Sequence, residues 1–64
     1  MLFPTLEEAE RYLRKKYGRL RRELEVLPLG MGIRYAYYKD LKLIAYAYPT
    51  PSGCEVIEVG FPPT

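Results

Sequence analysis

The sequence predicts a single α+β domain over residues 1–64, in which an N-terminal helix packs on a three- to four-stranded antiparallel meander sheet. Three observations predict this class. Residues 5–17 form a capped amphipathic stretch, residues 33–61 hold three alternating apolar stretches, and a chain of 64 residues can bury only one small core. A hydrophobic content of 48% with 28% charged residues is typical of a folded domain.

The predicted helix has start and stop signals at both ends. Thr5 is a good N-cap, since its hydroxyl can accept the backbone N–H of Glu8. Acidic residues follow early in the helix and basic residues occupy its last turn, an order that suits the helix dipole. Gly18 is a natural residue to end it. One apolar stripe should face the sheet: Leu6, Ala9, Leu13 and Tyr17.

Residues 19–27 admit two interpretations. Leu20, Leu24 and Leu27 keep a helical period, whereas Leu24 and Val26 alternate with glutamates as in a strand. Gly18 before this stretch and Pro28 after it favour a short strand over residues 23–27, which would be the fourth strand of the sheet.

The meander should contain strands at 33–38, 43–48 and 54–61. If Asp40 and Leu41 form the first turn, Tyr37 faces Ile44, and side chains alternate strictly from there. One face then collects Ile33, Tyr35, Tyr37, Ile44, Tyr46, Tyr48, Ile57, Val59 and Phe61. We expect the helix on this face, which has no charge except Glu55 at its rim. The alternative is the smaller, alanine-rich face.

If the helix does not cover the alanine-rich face, we expect a partner protein to cover it. Small side chains let two backbones approach closely, so we expect a two-fold homodimer through Ala36, Ala45, Ala47 and Val56. With the opposite packing, the tyrosines of the other face would be exposed and could stack on bases.

Charge is segregated along the chain. Seven of its ten basic residues lie within residues 11–22, where there is no acid, although the formal net charge is only +2. Such a block is typical of a surface for an anionic partner. The predicted nucleic-acid ridge is Arg11, Arg14, Lys15, Arg19, Arg21 and Arg22, extended by Arg34, Tyr38, Lys39 and Lys42. The alternative interpretation is a solvated helix face.

Composition argues against most catalytic and metal chemistry. The chain has no histidine and one cysteine, Cys54, which leaves no disulfide, no usual zinc ligand set and no activated thiol. We therefore expect no enzyme, no cofactor, no metal and no small-molecule substrate. No apolar run is long enough to span a membrane, and an early acidic segment is unlike a signal peptide, so the expected location is cytoplasmic.

An N-terminal helix followed by the segments Leu43-Ile-Ala-Tyr46 and Val56-Ile-Glu-Val-Gly-Phe61 resembles the RelE/ParE group of toxins. These are small basic proteins that act on ribosome-bound RNA or on gyrase. The resemblance covers about half the chain and implies a fold but no active-site residue. We expect first a non-enzymatic protein that binds nucleic acid or a ribonucleoprotein, second a homodimeric protein-interaction module, and third a toxin of this kind.

Overall fold

A computed structural model describes residues 1–59 and shows one helix on a five-stranded antiparallel sheet. The elements in chain order are β1 (Leu2–Phe3), α1 (Leu6–Tyr17), β2 (Arg21–Val26), a 3₁₀ turn (Pro28–Gly30), β3 (Ile33–Lys39), β4 (Lys42–Thr50) and β5 (Gly53–Glu58). The strands lie in the order β1-β5-β4-β3-β2. The α+β class is confirmed, and the sheet has one strand more than the upper expectation.

The additional strand, β1, is only two residues long. Leu2 lies opposite Glu55 and Phe3 opposite Cys54, so the start of the chain extends the sheet beyond β5. A two-residue strand has no alternation that a sequence pattern could reveal. At the other end of the chain, the expected extension of the last strand to Phe61 falls outside the described residues.

Helix α1 begins and ends where its capping residues predict. The Thr5 hydroxyl accepts the Glu8 backbone N–H at 3.1 Å. Gly18 has a φ of 87°, which favours glycine, and its N–H donates to the Arg14 carbonyl at 2.9 Å. The local sequence thus determines the length of α1.

The ambiguous segment after Gly18 contains a strand, as favoured. Strand β2 begins two residues earlier than expected and pairs with β3 from Arg21 opposite Tyr38 to Val26 opposite Ile33. The tight turn that follows is closed by the Leu27 N–H, which donates to the Gly32 carbonyl at 2.8 Å.

The register between β3 and β4 differs from the predicted one. Tyr37 lies opposite Ala45 and Tyr38 lies opposite Leu43, so Ile44 is an extra residue in β4, a β-bulge. The expected pairing of Tyr37 with Ile44 is therefore wrong. A shift of one residue exchanges the faces of a strand, and Tyr35 and Tyr37 consequently share a face with alanines of β4 instead of with its tyrosines.

Helix α1 covers the alanine face, so the expected packing on the Ile/Tyr/Val/Phe face is also wrong. Ala9 and Leu13 of the helix are fully buried in one cluster with Ala45, Ala47 and Val56. Alanines make a shallow seat that lets a helix approach closely, and burying a leucine such as Leu13 is worth about 1.5–3 kcal/mol.

The expected dimer patch is consequently not a surface. Ala45, Ala47 and Val56 lie in the core of the single chain, beneath the helix. Ala36 lies on the opposite face, across from Tyr46, and is also fully buried. None of the four residues is free to contact a second copy in the way the sequence suggested.

Two carboxylates fasten the helix to the sheet. Glu10 of α1 accepts hydrogen bonds from the Tyr37 hydroxyl at 2.5 Å, Arg22 at 2.7 Å and Arg14 at 3.1 Å. Burial alone would raise the pKa of Glu10, but these donors outweigh it and lower the pKa.

Glu58 of β5 is a sheet carboxylate that accepts hydrogen bonds from the helix. It accepts from the Tyr12 hydroxyl at 2.5 Å, from Lys16 Nζ at 3.0 Å and from the Tyr17 hydroxyl. Burial again opposes ionisation, yet the three donors from α1 hold the pKa of Glu58 at about 2, against an ordinary 4.5. Together the two carboxylates link the middle and the last turns of the helix to the sheet.

We predict that Ala45→Glu unfolds the domain. The new carboxylate would replace a fully buried methyl group beneath the helix, and an unpaired buried charge costs at least about 3 kcal/mol. Ile57→Glu is the matched control, because Ile57 lies opposite Tyr46 on the uncovered face and is 46% exposed. Urea denaturation followed by circular dichroism compares the two, and equal midpoints would contradict the packing.

We predict that Glu58→Gln lowers stability at pH 7 by about 1–2 kcal/mol, because a neutral amide accepts weaker hydrogen bonds than a carboxylate. The folded-state pKa of Glu58 lies below its ordinary value, so its contribution is complete above pH 4.5 and is lost as the pH falls towards 2. The variant should therefore lose less stability than the wild type between these pH values. Glu7→Gln, at an exposed helix position, is the control; parallel curves for Glu58→Gln and wild type would refute the assignment.

Candidate nucleic-acid interface

Most of the basic segment is neutralised within the chain. Five of its seven cations have a carboxylate within 4 Å: Arg11 with Glu8, Arg14 and Arg22 with Glu10, Lys16 with Glu58, and Arg21 with Glu23. Lys15 and Arg19 form no ion pair within residues 1–59. The cations of the expected ridge thus differ in whether a carboxylate lies beside them.

A concave site lies where the helix ends and the β3–β4 hairpin turns. It is an open groove of about 460 Å³ lined by Arg19, Leu20, Arg21, Tyr38, Lys39 and Asp40. We call it the basic groove. It brings together four of the ten residues predicted to bind nucleic acid, and these come from two segments about twenty residues apart in the chain.

Gly18 and Lys39 shape one side of the basic groove. The positive φ of Gly18 turns the chain from α1 towards Arg19. Lys39 Nζ donates to the Tyr17 carbonyl at 2.5 Å and lies 3.3 Å from where a Cβ on Gly18 would be. Lys39 therefore helps to satisfy the carboxyl end of the helix, and a side chain at position 18 would crowd it.

Tyr38 and Arg21 form the other side. They lie opposite each other on β3 and β2, and the Arg21 guanidinium is 4.7 Å from the centroid of the Tyr38 ring. This cation–π contact, together with the ion pair between Arg21 and Glu23, holds both side chains in place. Leu20 is only 6% exposed and anchors this part of the groove to the core.

Positive charge accumulates at the end of the hairpin. Lys39 and Lys42 lie directly opposite each other, and like charges in this position destabilise a strand pair. Neither lysine has a carboxylate partner within the described residues. Asp40, in the turn between them, has a φ of 57° and is the one acid among the groove residues. A cluster of this sign, kept without ion pairs, is the arrangement that an anionic ligand would stabilise.

The other predicted site residues lie elsewhere. Arg11, Arg14 and Lys15 are on the exposed side of α1, and Arg22 is fixed between Glu10 and the Tyr35 ring. Arg34 is on the uncovered sheet face: it bonds Glu25 at 2.7 Å and Tyr48 at 3.0 Å, and lies 3.8 Å from the Tyr46 ring centroid. Its hydrogen bonds to Tyr48 and Glu25 raise its pKa, so Arg34 is a fixed structural cation.

Two groove residues were not among the predicted site residues. Leu20 appeared only as an apolar position of an ambiguous segment, and its place below the cations depends on tertiary packing. Asp40 was expected to be a turn residue, which it is. Its position between Lys39 and Lys42 in sequence is the signal that could have placed it next to the basic site.

Residues 1–59 hold no group of three metal-ligating side chains, and no helix among them is long and apolar enough to cross a membrane. Cys54 is buried, and burial raises the pKa of its thiol. No protein-family model, no curated protein and no solved structure matches this chain.

Proposed function

We propose that this protein binds nucleic acid, as a free strand or within a ribonucleoprotein, through the basic groove and without catalysing a reaction. The observation that supports this most is the meeting of Arg19, Arg21 and Lys39 around Tyr38 in an open groove. Cations grouped around an aromatic ring suit a strand that offers phosphates and unpaired bases together.

The groove residues have different roles in this proposal. Arg19 is exposed and has no carboxylate partner in the described chain, so it can bind a phosphate in a two-pronged manner. Lys39 and Lys42 add positive charge beside it. Tyr38 offers a ring whose orientation Arg21 already fixes, which reduces the entropy lost when a base stacks on it.

This site is smaller than the ridge expected from the sequence. Arg14 and Arg22 are held by Glu10, so they would have to break ion pairs before they could contact a phosphate. We therefore propose three phosphate contacts, by Arg19, Lys39 and Lys42, with a fourth from Arg21 once it leaves its ion pair with Glu23. A cytoplasmic location would suit both a nucleic-acid partner and the free thiol of Cys54.

The affinity for a single-stranded oligonucleotide should fall as salt increases, because each neutralised phosphate releases condensed cations. Three or four contacts predict a log–log slope of roughly −2 to −3 on single strands. The double variant Arg19→Gln/Lys42→Gln should reduce the steepness of that slope by about 1.4, since each lost contact contributes about 0.7. Fluorescence anisotropy over a range of salt concentrations measures both quantities.

The matched control removes the same charge from the helix surface. Arg11→Gln/Lys15→Gln should leave the slope nearly unchanged, because neither residue lines the groove. Asp40→Asn adds a test of opposite sign: asparagine tolerates the φ of 57°, and removing the carboxylate should raise the affinity by roughly 2- to 5-fold. Equal decreases of the salt slope in the two double variants would place the binding site on the helix surface. Absence of binding at low salt by the folded protein would overturn the proposal.

A further inference from the structure

Strand β2 is a long and uncovered sheet edge. It is the last strand of the sheet and spans six residues, whereas β1 at the other edge spans two. The helix packs over β1, β4 and β5, on the other half of the sheet. An edge of this length, without proline or a bulge, presents unpaired backbone N–H and C=O groups that can pair with another strand.

Apolar side chains are exposed along this edge. Leu24 is 57% exposed and Val26 is 78% exposed. They lie opposite Tyr35 and Ile33 on the helix side of the sheet. The helix packs mainly on the other half, and its Glu10 reaches this strand at Arg22. Because large apolar side chains grouped beside an open edge are costly in water, this surface favours a partner that covers the strand and its apolar face together.

The order of charges along β2 favours a second copy of the same strand as the partner. Arg21 and Arg22 begin the strand, and Glu23 and Glu25 follow them. A second copy of β2 running antiparallel, with the two-fold axis at Glu23, would place Arg21 of each copy opposite Glu25 of the other. It would also place the aliphatic stem of Arg22 beside the exposed Leu24.

The one unfavourable pair in this register is partly compensated. Glu23 would face Glu23 of the second copy across the axis. Each of these carboxylates is already in an ion pair with Arg21 of its own chain, which lowers the repulsion between them. All five residues from Arg21 to Glu25 would take part, so the register uses almost the whole strand.

We propose that two copies of this chain associate through β2, antiparallel and centred on Glu23, so that two five-stranded sheets join into one of ten strands. The interface is separate from the alanine face, which the helix occupies. It also supplies the reinforcement that small domains often draw from a second subunit. This proposal does not rest on nucleic-acid binding by the basic groove, although Arg21 belongs to both surfaces.

A cysteine at the proposed axis tests the register directly. In the Glu23→Cys variant the two introduced thiols would face each other across the axis, within the range that a disulfide spans. Mild oxidation should therefore produce a covalent dimer within minutes. Glu7→Cys, on the exposed surface of α1, is the matched control, and the native Cys54 is only 1% exposed. Equal crosslinking rates for the two variants would overturn the proposal.

Charge exchange gives a second test that needs no crosslink. Arg21→Glu and Glu25→Arg should each weaken self-association at least about 10-fold, because each puts like charges opposite each other. An equal mixture of the two variants should associate more tightly than either variant alone, since both opposed pairs become complementary. Sedimentation equilibrium should give the wild type a mass of twice 7.5 kDa at submillimolar concentration. A monomeric wild type, or a mixture no better than its components, would contradict the interface.

Discussion

The extra residue in β4, Ile44, is the constraint on which the remaining structure depends. It shifts the pairing of β3 with β4 by one position, so that Tyr37 lies opposite Ala45. Tyr37 then rises on the same face as the alanines and reaches Glu10 of the helix at 2.5 Å. Without the shift, the hydroxyl would be on the other side of the sheet and Glu10 would lose its link to β3. The bulge thus decides where α1 packs and which face stays open.

Docking of the helix in turn decides which charges remain available. Glu10 and Glu58 accept hydrogen bonds and ion pairs from both layers, and they neutralise Arg14, Arg22 and Lys16 in doing so. Within residues 1–59, the cations without carboxylate partners are Lys15 and Arg19 near the end of the helix and Lys39 and Lys42 at the end of the hairpin. The sequence shows a block of seven cations, whereas in the fold five of them have carboxylate partners.

Local signals in the sequence predicted the helix and the strands well. Features that depend on contacts between distant parts of the chain could not be predicted. Thr5 and Gly18 predicted both ends of α1, and the turn at Asp40 and Leu41 predicted the hairpin, because each depends on neighbours in the chain. The bulge at Ile44 gives no such local signal, because the side chains before and after the extra residue still alternate along the strand. The partners Tyr37 and Glu10 are 27 residues apart, so the position of Glu10 could not be predicted. The sequence therefore grouped Arg19 and Lys39 in one basic surface, but it also included Arg22, which Glu10 binds.

Nuclear Overhauser effects from the methyl groups of Ala45 and Ala47 test the packing of α1 on the sheet most directly. The account predicts contacts from these methyls to Leu13 and Ala9 of the helix, since all four residues share one buried cluster. It also predicts that the aromatic protons of Tyr46 and Tyr48, on the opposite face, show no contact with the helix. Helix contacts from Tyr46 and Tyr48, with the alanine methyls open to solvent, would show that α1 packs on the opposite face and that the account of the surface is wrong.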